Sequence, residues 1–183
     1  VGEVARRRFP GGVLVEADHR HSLEALQRTQ ALIDDPAVPA IFEAAFIFDD
    51  VLVRVDILER VLSSGGGTWR LIEVKSSARV KEVHLDDLAL QWHVVVGCGL
   101  EMSSACLMHV NTQYLYPGGE IDLAQLFSLH DLTPAIAARQ AKILAQLNVM
   151  KRTVESRTTP DVEPGRHCHA PHQCRFWEHC TVA

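Results

Sequence analysis

The sequence predicts an α/β fold in which a central mixed sheet is flanked by helices. Three observations carry that expectation. Residues 42–61, "FEAAFIFDDVLVRVDILERV", are two β-rich runs meeting at Asp49–Asp50, the pattern of a hairpin. Residues 69–77, "WRLIEVKSS", form a third run of the same kind. Helical periodicity precedes and follows these runs, so helices and strands interleave along the chain.

Taken in order, Ser22 precedes "LEALQRTQALI", whose apolar residues recur at helical spacing, and Ser22 is the expected N-cap. "DDPAVP" (34–39) stops that helix, since Pro cannot continue it. After the hairpin, "SSGGGT" (63–68) reads as a loop, and it lacks the Gly-Lys-Ser/Thr ending of a phosphate loop. "HLDDLALQWHVVVGCGL" (84–100) is helical and ends at its glycines. "SSACLMHVNTQYLY" (103–116) reads as a strand, "PGGEI" as a turn, and "IDLAQLFSLHDL" (121–132) as weakly specified. Thr133 and Pro134 mark the N-cap and first position of a helix running to about residue 155. "TTPDVEPG" (158–165) is a linker. The expected division is therefore a core over 1–157 and a linker with a cysteine-rich tail over 158–183.

The 183 residues, 47% hydrophobic and 22% charged, suit one globular domain with a small appendage. No apolar run reaches the roughly 18–20 residues that span a bilayer, and no signal peptide is visible. A cytoplasmic setting without a membrane partner is expected. The net charge of −5 excludes an overall basic signature for nucleic acid. From Arg139 onward, however, seven Lys/Arg face four acids. Five cysteines make an odd count, and Cys168, Cys174 and Cys180 crowd the end of the chain, which in a cytosolic protein points to a metal.

Glu73 and Lys75 lie two apart in a strand and so share a face. A solvated ion pair would be worth about 0–1 kcal/mol. The other reading is chemical. Asp56, seventeen positions earlier, interrupts the β-branched run "LVRVDIL", where Asp is disfavoured. On neighbouring strands, Asp56 and Glu73 would give two carboxylates, and the Val74 carbonyl a third oxygen, for a hard cation such as Mg²⁺. Lys75 would stand beside the attacking water.

Asp56 followed by Glu73-Val74-Lys75 resembles the core of the PD-(D/E)xK nuclease superfamily, in its RecB-like branch. The resemblance implies a restriction-endonuclease-like core and a Mg²⁺- or Mn²⁺-dependent deoxyribonuclease, an exonuclease among the options. It also implies that the next helix carries a functional Gln. Gln91, four after Asp87, stands there, with His84 a turn earlier. Gln91 would lie near the active site or the nucleic-acid backbone, and His84 would be a nucleic-acid contact. Glu43, at the start of the hairpin, matches an acid that can approach the metal. The family's upstream helix often bears a His, for which His19 and His21 are candidates, with a residue before Val1 or none as alternatives.

The tail "HCHAPHQCRFWEHC" spaces its cysteines C-x5-C-x5-C. Zinc would take the three thiolates and one of His167, His169, His172 or His179. An iron–sulfur cluster wants four cysteines. RecB-like domains with a 4Fe–4S cluster have a similar C-terminal triplet and one cysteine far upstream, which the resemblance places before Val1 in an N-terminally truncated chain. Cys98 and Cys106 are alternatives, and a metal-free tail docked through Phe176 and Trp177 is a third. "VRVDILER", "EVKSS", "HLDDLALQ" and "CRFWEHC" together are similar to uncharacterised bacterial RecB-like nuclease domains.

The leading expectation is a nuclease hydrolysing DNA phosphodiester bonds, with a structural cluster in the tail. It would be a module of a larger nuclease or helicase-associated protein acting in DNA repair or recombination. The alternative classes are a catalytically inactive nucleic-acid-binding or assembly module with a zinc or iron–sulfur site, and a zinc-stabilised interaction domain.

Overall fold

A computed structural model describes residues 1–16, 21–63, 66–170 and 172–181. His19 lies outside them. The chain divides into two compact units, Val1–Leu144 and Ala145–Ala183. The first holds a sheet built outward from the central hairpin.

Asp49 and Asp50 both adopt left-handed backbone angles, φ 52° and 62°. Two such residues make the tight turn whose twist matches that of paired strands. It joins β2 (Ala40–Phe48) to β3 (Val51–Ser63), and Phe48 pairs with Val51 across it. β3 then pairs antiparallel with β4 (Gly66–Lys75). A parallel neighbour needs a crossover, and α3 (Glu82–Gly97) supplies it before β5 (Met102–Val110). β6 (Phe127–Asp131) closes one edge antiparallel to β5, and β1 (Val13–Leu14) the other, parallel to β2. The sheet is six-stranded and mixed, in the order β1-β2-β3-β4-β5-β6.

Helices cover the sheet because both faces are apolar. α1 (Gly2–Arg6) lays Ala5 over a cluster of Ala40, Phe42, Ile57, Ile72, Met108 and Phe127. Alternation along the strands puts Leu71, Glu73 and Lys75 on the opposite face, under Leu85, Leu88 and Gln91 of α3. Each fully buried large aliphatic side chain contributes roughly 1.5–3 kcal/mol. α2 (Ser22–Asp34) lies against β2, where the Thr29 hydroxyl accepts the Ala45 N–H at 2.9 Å. Arg60 on β3 fixes the end of α2. Its guanidinium donates to the carbonyls of Ile33, Asp35 and Val38, each at 2.9 Å, and lies 4.2 Å over the Trp69 ring. The bonds to Ile33 and Asp35 satisfy carbonyls that the helix end leaves unpaired, and the third ties down the loop before β2.

A short α4 (Leu123–Leu126) leads into β6, and α5 (Thr133–Glu155) follows. Its first half packs on α3, with Gln140 donating to the Ala89 carbonyl and Arg139 and Lys142 paired to Glu82 and Asp86. The second unit contains the end of α5, a 3-10 turn (Arg166–Cys168) and α6 (Trp177–Thr181).

Several expectations need correction. Much of the stretch expected as a loop is strand: Ser63 ends β3 and Gly66 begins β4, with Gly67 paired to Leu62, while Ser64 and Gly65 lie outside the described residues. Glycine's poor β propensity hid this; the ladder with β3 overrides it. Ser22 is the first helical residue, with His21 at the cap position. Thr133 likewise lies inside α5. Asp131 accepts its N–H at 2.9 Å, and its hydroxyl accepts the Ala105 N–H, so it joins helix to sheet. The strand after α3 stops at Val110, and the weakly specified stretch is α4 and β6. No helix among the described residues is long and apolar enough to cross a membrane.

Candidate active site

The site begins where two ladders part. β3 and β4 remain paired down to Ile57↔Ile72. The next pair would be Asp56 and Glu73, but there the strands separate, and the Asp56 carboxylate accepts the Val74 N–H at 2.7 Å instead. On the other side, the β2–β3 register passes from Phe42↔Ile57 to Ala44↔Val55, and Glu43, opposite Asp56, has φ 57°. A left-handed conformation at a non-glycine residue costs about 1–2 kcal/mol. Such strain tends to gather where geometry serves a function.

The structure thus brings Glu43, Asp56, Glu73 and Lys75 together on β2, β3 and β4. Glu73 is 6% exposed. The face it shares with Lys75 is covered by α3, and so is packed on both sides rather than open. Its carboxylate accepts from Lys75 Nζ at 2.6 Å and from Gln91 Nε2 at 2.7 Å. Lys75 also donates to Asp87 at 2.6 Å. His84, Asp87 and Gln91 recur at helical spacing along one side of α3, which is how one helix reaches the site three times.

The electrostatics are those of crowded acids. Burial, then repulsion from Asp56, pushes Glu73 up to about 7. Burial also raises Asp56, against the Val74 N–H bond, with repulsion from Glu43 and Asp87 adding to the rise. Lys75 is raised by its bonds to Asp87 and Glu73, which outweigh desolvation, so its ammonium stays charged. Glu43 is tied elsewhere, accepting from Arg6 Nη2 at 2.5 Å.

Carboxylate oxygens are the donors a hard divalent cation takes, and this site offers two carboxylates, Asp56 and Glu73. Glu73 is buried and Asp56 half-buried, and burial together with mutual repulsion shifts both carboxyls toward their protonated forms despite Lys75. Gln91 is 5% exposed, and its Oε1 is buried without a hydrogen-bond partner. An orphaned acceptor costs about 1–3 kcal/mol, which a cation's water shell would relieve.

Two features escaped sequence reasoning. Asp87 grips Lys75, and its only signal was the four-residue spacing to Gln91. Arg6 approaches from α1, with no signal at all. His84 is 8% exposed, and its Nδ1 accepts the Lys81 N–H at 3.3 Å, so it caps α3; burial first, then Lys75 and Lys81, lowers its basicity.

In the second unit, the Cys174 N–H donates to the Cys168 carbonyl at 2.7 Å and Cys180 lies on α6. All three thiols are free. Among the described residues, no group of three or more His, Cys, Asp or Glu is arranged to hold a metal ion. Phe176 is 70% exposed, and Trp177 packs on His169 with ring centroids 4.3 Å apart. Cys98 donates to the Ile47 carbonyl at 3.3 Å, and Cys106 is buried in the core cluster.

No known family model matches the chain, and no curated protein matches it. The functional reading therefore stands on the residues and their geometry.

Proposed function

We propose that this chain is a divalent-cation-dependent nuclease with a restriction-endonuclease-like, PD-(D/E)xK-type core, hydrolysing DNA phosphodiester bonds. One observation carries the reading: Asp56 and Glu73, from separate strands, meet at the fork beside Lys75, with more carboxylate than the local cations neutralise.

Asp56 and Glu73 would hold Mg²⁺ or Mn²⁺, with the Val74 carbonyl and Glu43 as further oxygens. When bound, that ion would acidify water and offset charge on the phosphate. Lys75 keeps its proton, so it acts as a donor rather than a base. It orients the attacking water and steadies the equatorial phosphate oxygens while the P–O bond to the leaving oxygen breaks in line. Asp87 and Gln91 position Lys75 and Glu73.

The tail, with Cys168, Cys174 and Cys180, would carry a structural 4Fe–4S cluster completed by one further ligand. Zinc is the competing occupant, because three thiols and a histidine satisfy it outright. Iron, sulfide and zinc content of the purified protein separates the two. DNA contacts would come mainly through phosphates, within a larger cytoplasmic nuclease or helicase-associated protein of repair or recombination.

The direct test is degradation of linear DNA with Mn²⁺ by the parent, Asp56→Asn and Lys75→Ala proteins. Loss in both variants is expected. Equal degradation by all three would overturn the proposal.

A further inference from the structure

We infer that Arg6, at the end of α1, grips a backbone phosphate of the nucleic-acid substrate on the side of the fork away from Lys75. This rests on the nuclease reading above. In the sheet order β2-β3-β4, Asp56 stands on the middle strand, with Glu43 opposite it on β2 and Glu73 and Lys75 on β4. Adjacent strands lie about 4.8 Å apart, and Glu43 is close enough to repel Asp56. Arg6 reaches this row from α1, its Nη2 donating to Glu43 Oε1 at 2.5 Å. Two cations, Arg6 and Lys75, therefore flank the acids from two strands apart.

The two are committed differently. Lys75 is bonded to both Glu73 and Asp87, each at 2.6 Å. Among the described residues, the Arg6 guanidinium makes a single hydrogen bond, and its other neighbour is the Phe42 ring, with the ring centroid 5.9 Å from Cζ. A guanidinium is always charged and carries its N–H donors in a planar fork. Nε–H and both hydrogens of Nη1 are therefore left over. The Arg6 side chain is 25% exposed and that of Glu43 31%, and none of the Arg6 nitrogens is buried without a partner, so the spare donors meet solvent.

Structural need does not account for this arginine. The left-handed Glu43 is held by Arg54 on β3, which donates to the Val15 and Glu43 carbonyls at 3.1 and 3.4 Å. α1 is seated by the fully buried Ala5, with Val4 and Phe9 packed against the same cluster. A partly exposed ion pair adds little stability. Spare donors in a fork do match two oxygens of one phosphate. Arg6 takes only Oε1 of Glu43, which leaves Oε2 for the cation. A nucleic-acid strand crossing β4, β3 and β2 would pass Lys75, then the ion, then Arg6.

The test uses the whole chain with Mg²⁺ and a fluorescein-labelled phosphorothioate oligothymidylate, which resists hydrolysis. Arg6→Ala is expected to bind roughly 10-fold more weakly, with a salt dependence reduced by about one contact. Arg6→Lys should regain the salt dependence but only part of the affinity, because an ammonium lacks the planar fork. Arg7→Ala, at the exposed neighbouring position, should bind like the parent. Mg²⁺ affinity measured alone by calorimetry should not fall in Arg6→Ala, which separates a phosphate contact from a role in holding Glu43 for the ion. In the parent, the Arg6 Nε–H resonance, assigned by its loss in Arg6→Lys, should shift on adding the oligonucleotide, a readout that needs no variant to fold. Parent-like binding by Arg6→Ala, an equal loss in Arg7→Ala, a matching fall in Mg²⁺ affinity or an unshifted resonance would overturn the contact. The nuclease reading fails separately, if Asp56→Asn cleaves like the parent while the Arg6 effects remain.

Discussion

The acid fork and the cysteine tail both present metal-type donors, yet they are built in opposite ways. At the fork, three strands deliver one or two side chains each and one helix delivers three, and register decides where each points. Glu73 and Gln91 are almost fully buried, and apart from the Lys75–Glu73 pair within β4 the bonds cross between separate elements. In the tail, the donors lie within fourteen residues, from His167 to Cys180, supported by a 3-10 turn and a five-residue helix. Cys180 and Phe176 are exposed. The lesson concerns preorganisation. A sheet can hold like charges together at a cost in stability, whereas a short tail has too few bonds to gather its ligands unaided, and there metal binding and folding would be one event.

The largest expected effect tests the fork. Asp56→Asn and Lys75→Ala should each lower DNA cleavage by at least about 10²–10³-fold with unchanged circular dichroism. An equal loss from Cys168→Ser would break the comparison, because the tail would then be part of the catalytic machinery. Next comes the tail itself. Cys174→Ser should remove most bound iron or zinc, read by elemental analysis, while cleavage falls far less than in Asp56→Asn.

Arg60→Ala should destabilise the first unit by roughly 1–3 kcal/mol in urea unfolding, since the carbonyls of Ile33 and Asp35 at the helix end and of Val38 in the following loop all lose the guanidinium. A loss below about 0.5 kcal/mol would show that water replaces the guanidinium there.

The smallest effect is a pH dependence peculiar to the fork. Glu73 is raised from 4.5 to about 7 on folding. Between those values the folded protein holds a proton that the unfolded chain has lost, so stability falls as pH rises through that window. Asp56 shifts in the same direction. Without divalent ions, the first unit should lose on the order of 1–2 kcal/mol from pH 5 to 8, and Mn²⁺ should restore it most at pH 8. A flat profile would mean that the acids are already neutralised.

The hairpin at Asp49–Asp50, the helix after "EVKSS" and the shared face of Glu73 and Lys75 were legible because each depends on neighbours in sequence: turn chemistry, a 3.6-residue period, a two-residue period. The glycine-rich start of β4 was not, because its strand character comes from the partner opposite. The tail's cysteines were visible as a cluster, but spacing could not say whether the chain would gather them. The fork at Ile57↔Ile72, the left-handed Glu43, the clasp of Asp87 on Lys75 and the reach of Arg6 to Glu43 were decided by tertiary structure alone. Composition and local periodicity determine which segments become helix or strand and which face of each is buried. The alignment of one strand against the next depends on contacts summed over the whole sheet, and that alignment chooses which charged side chains meet.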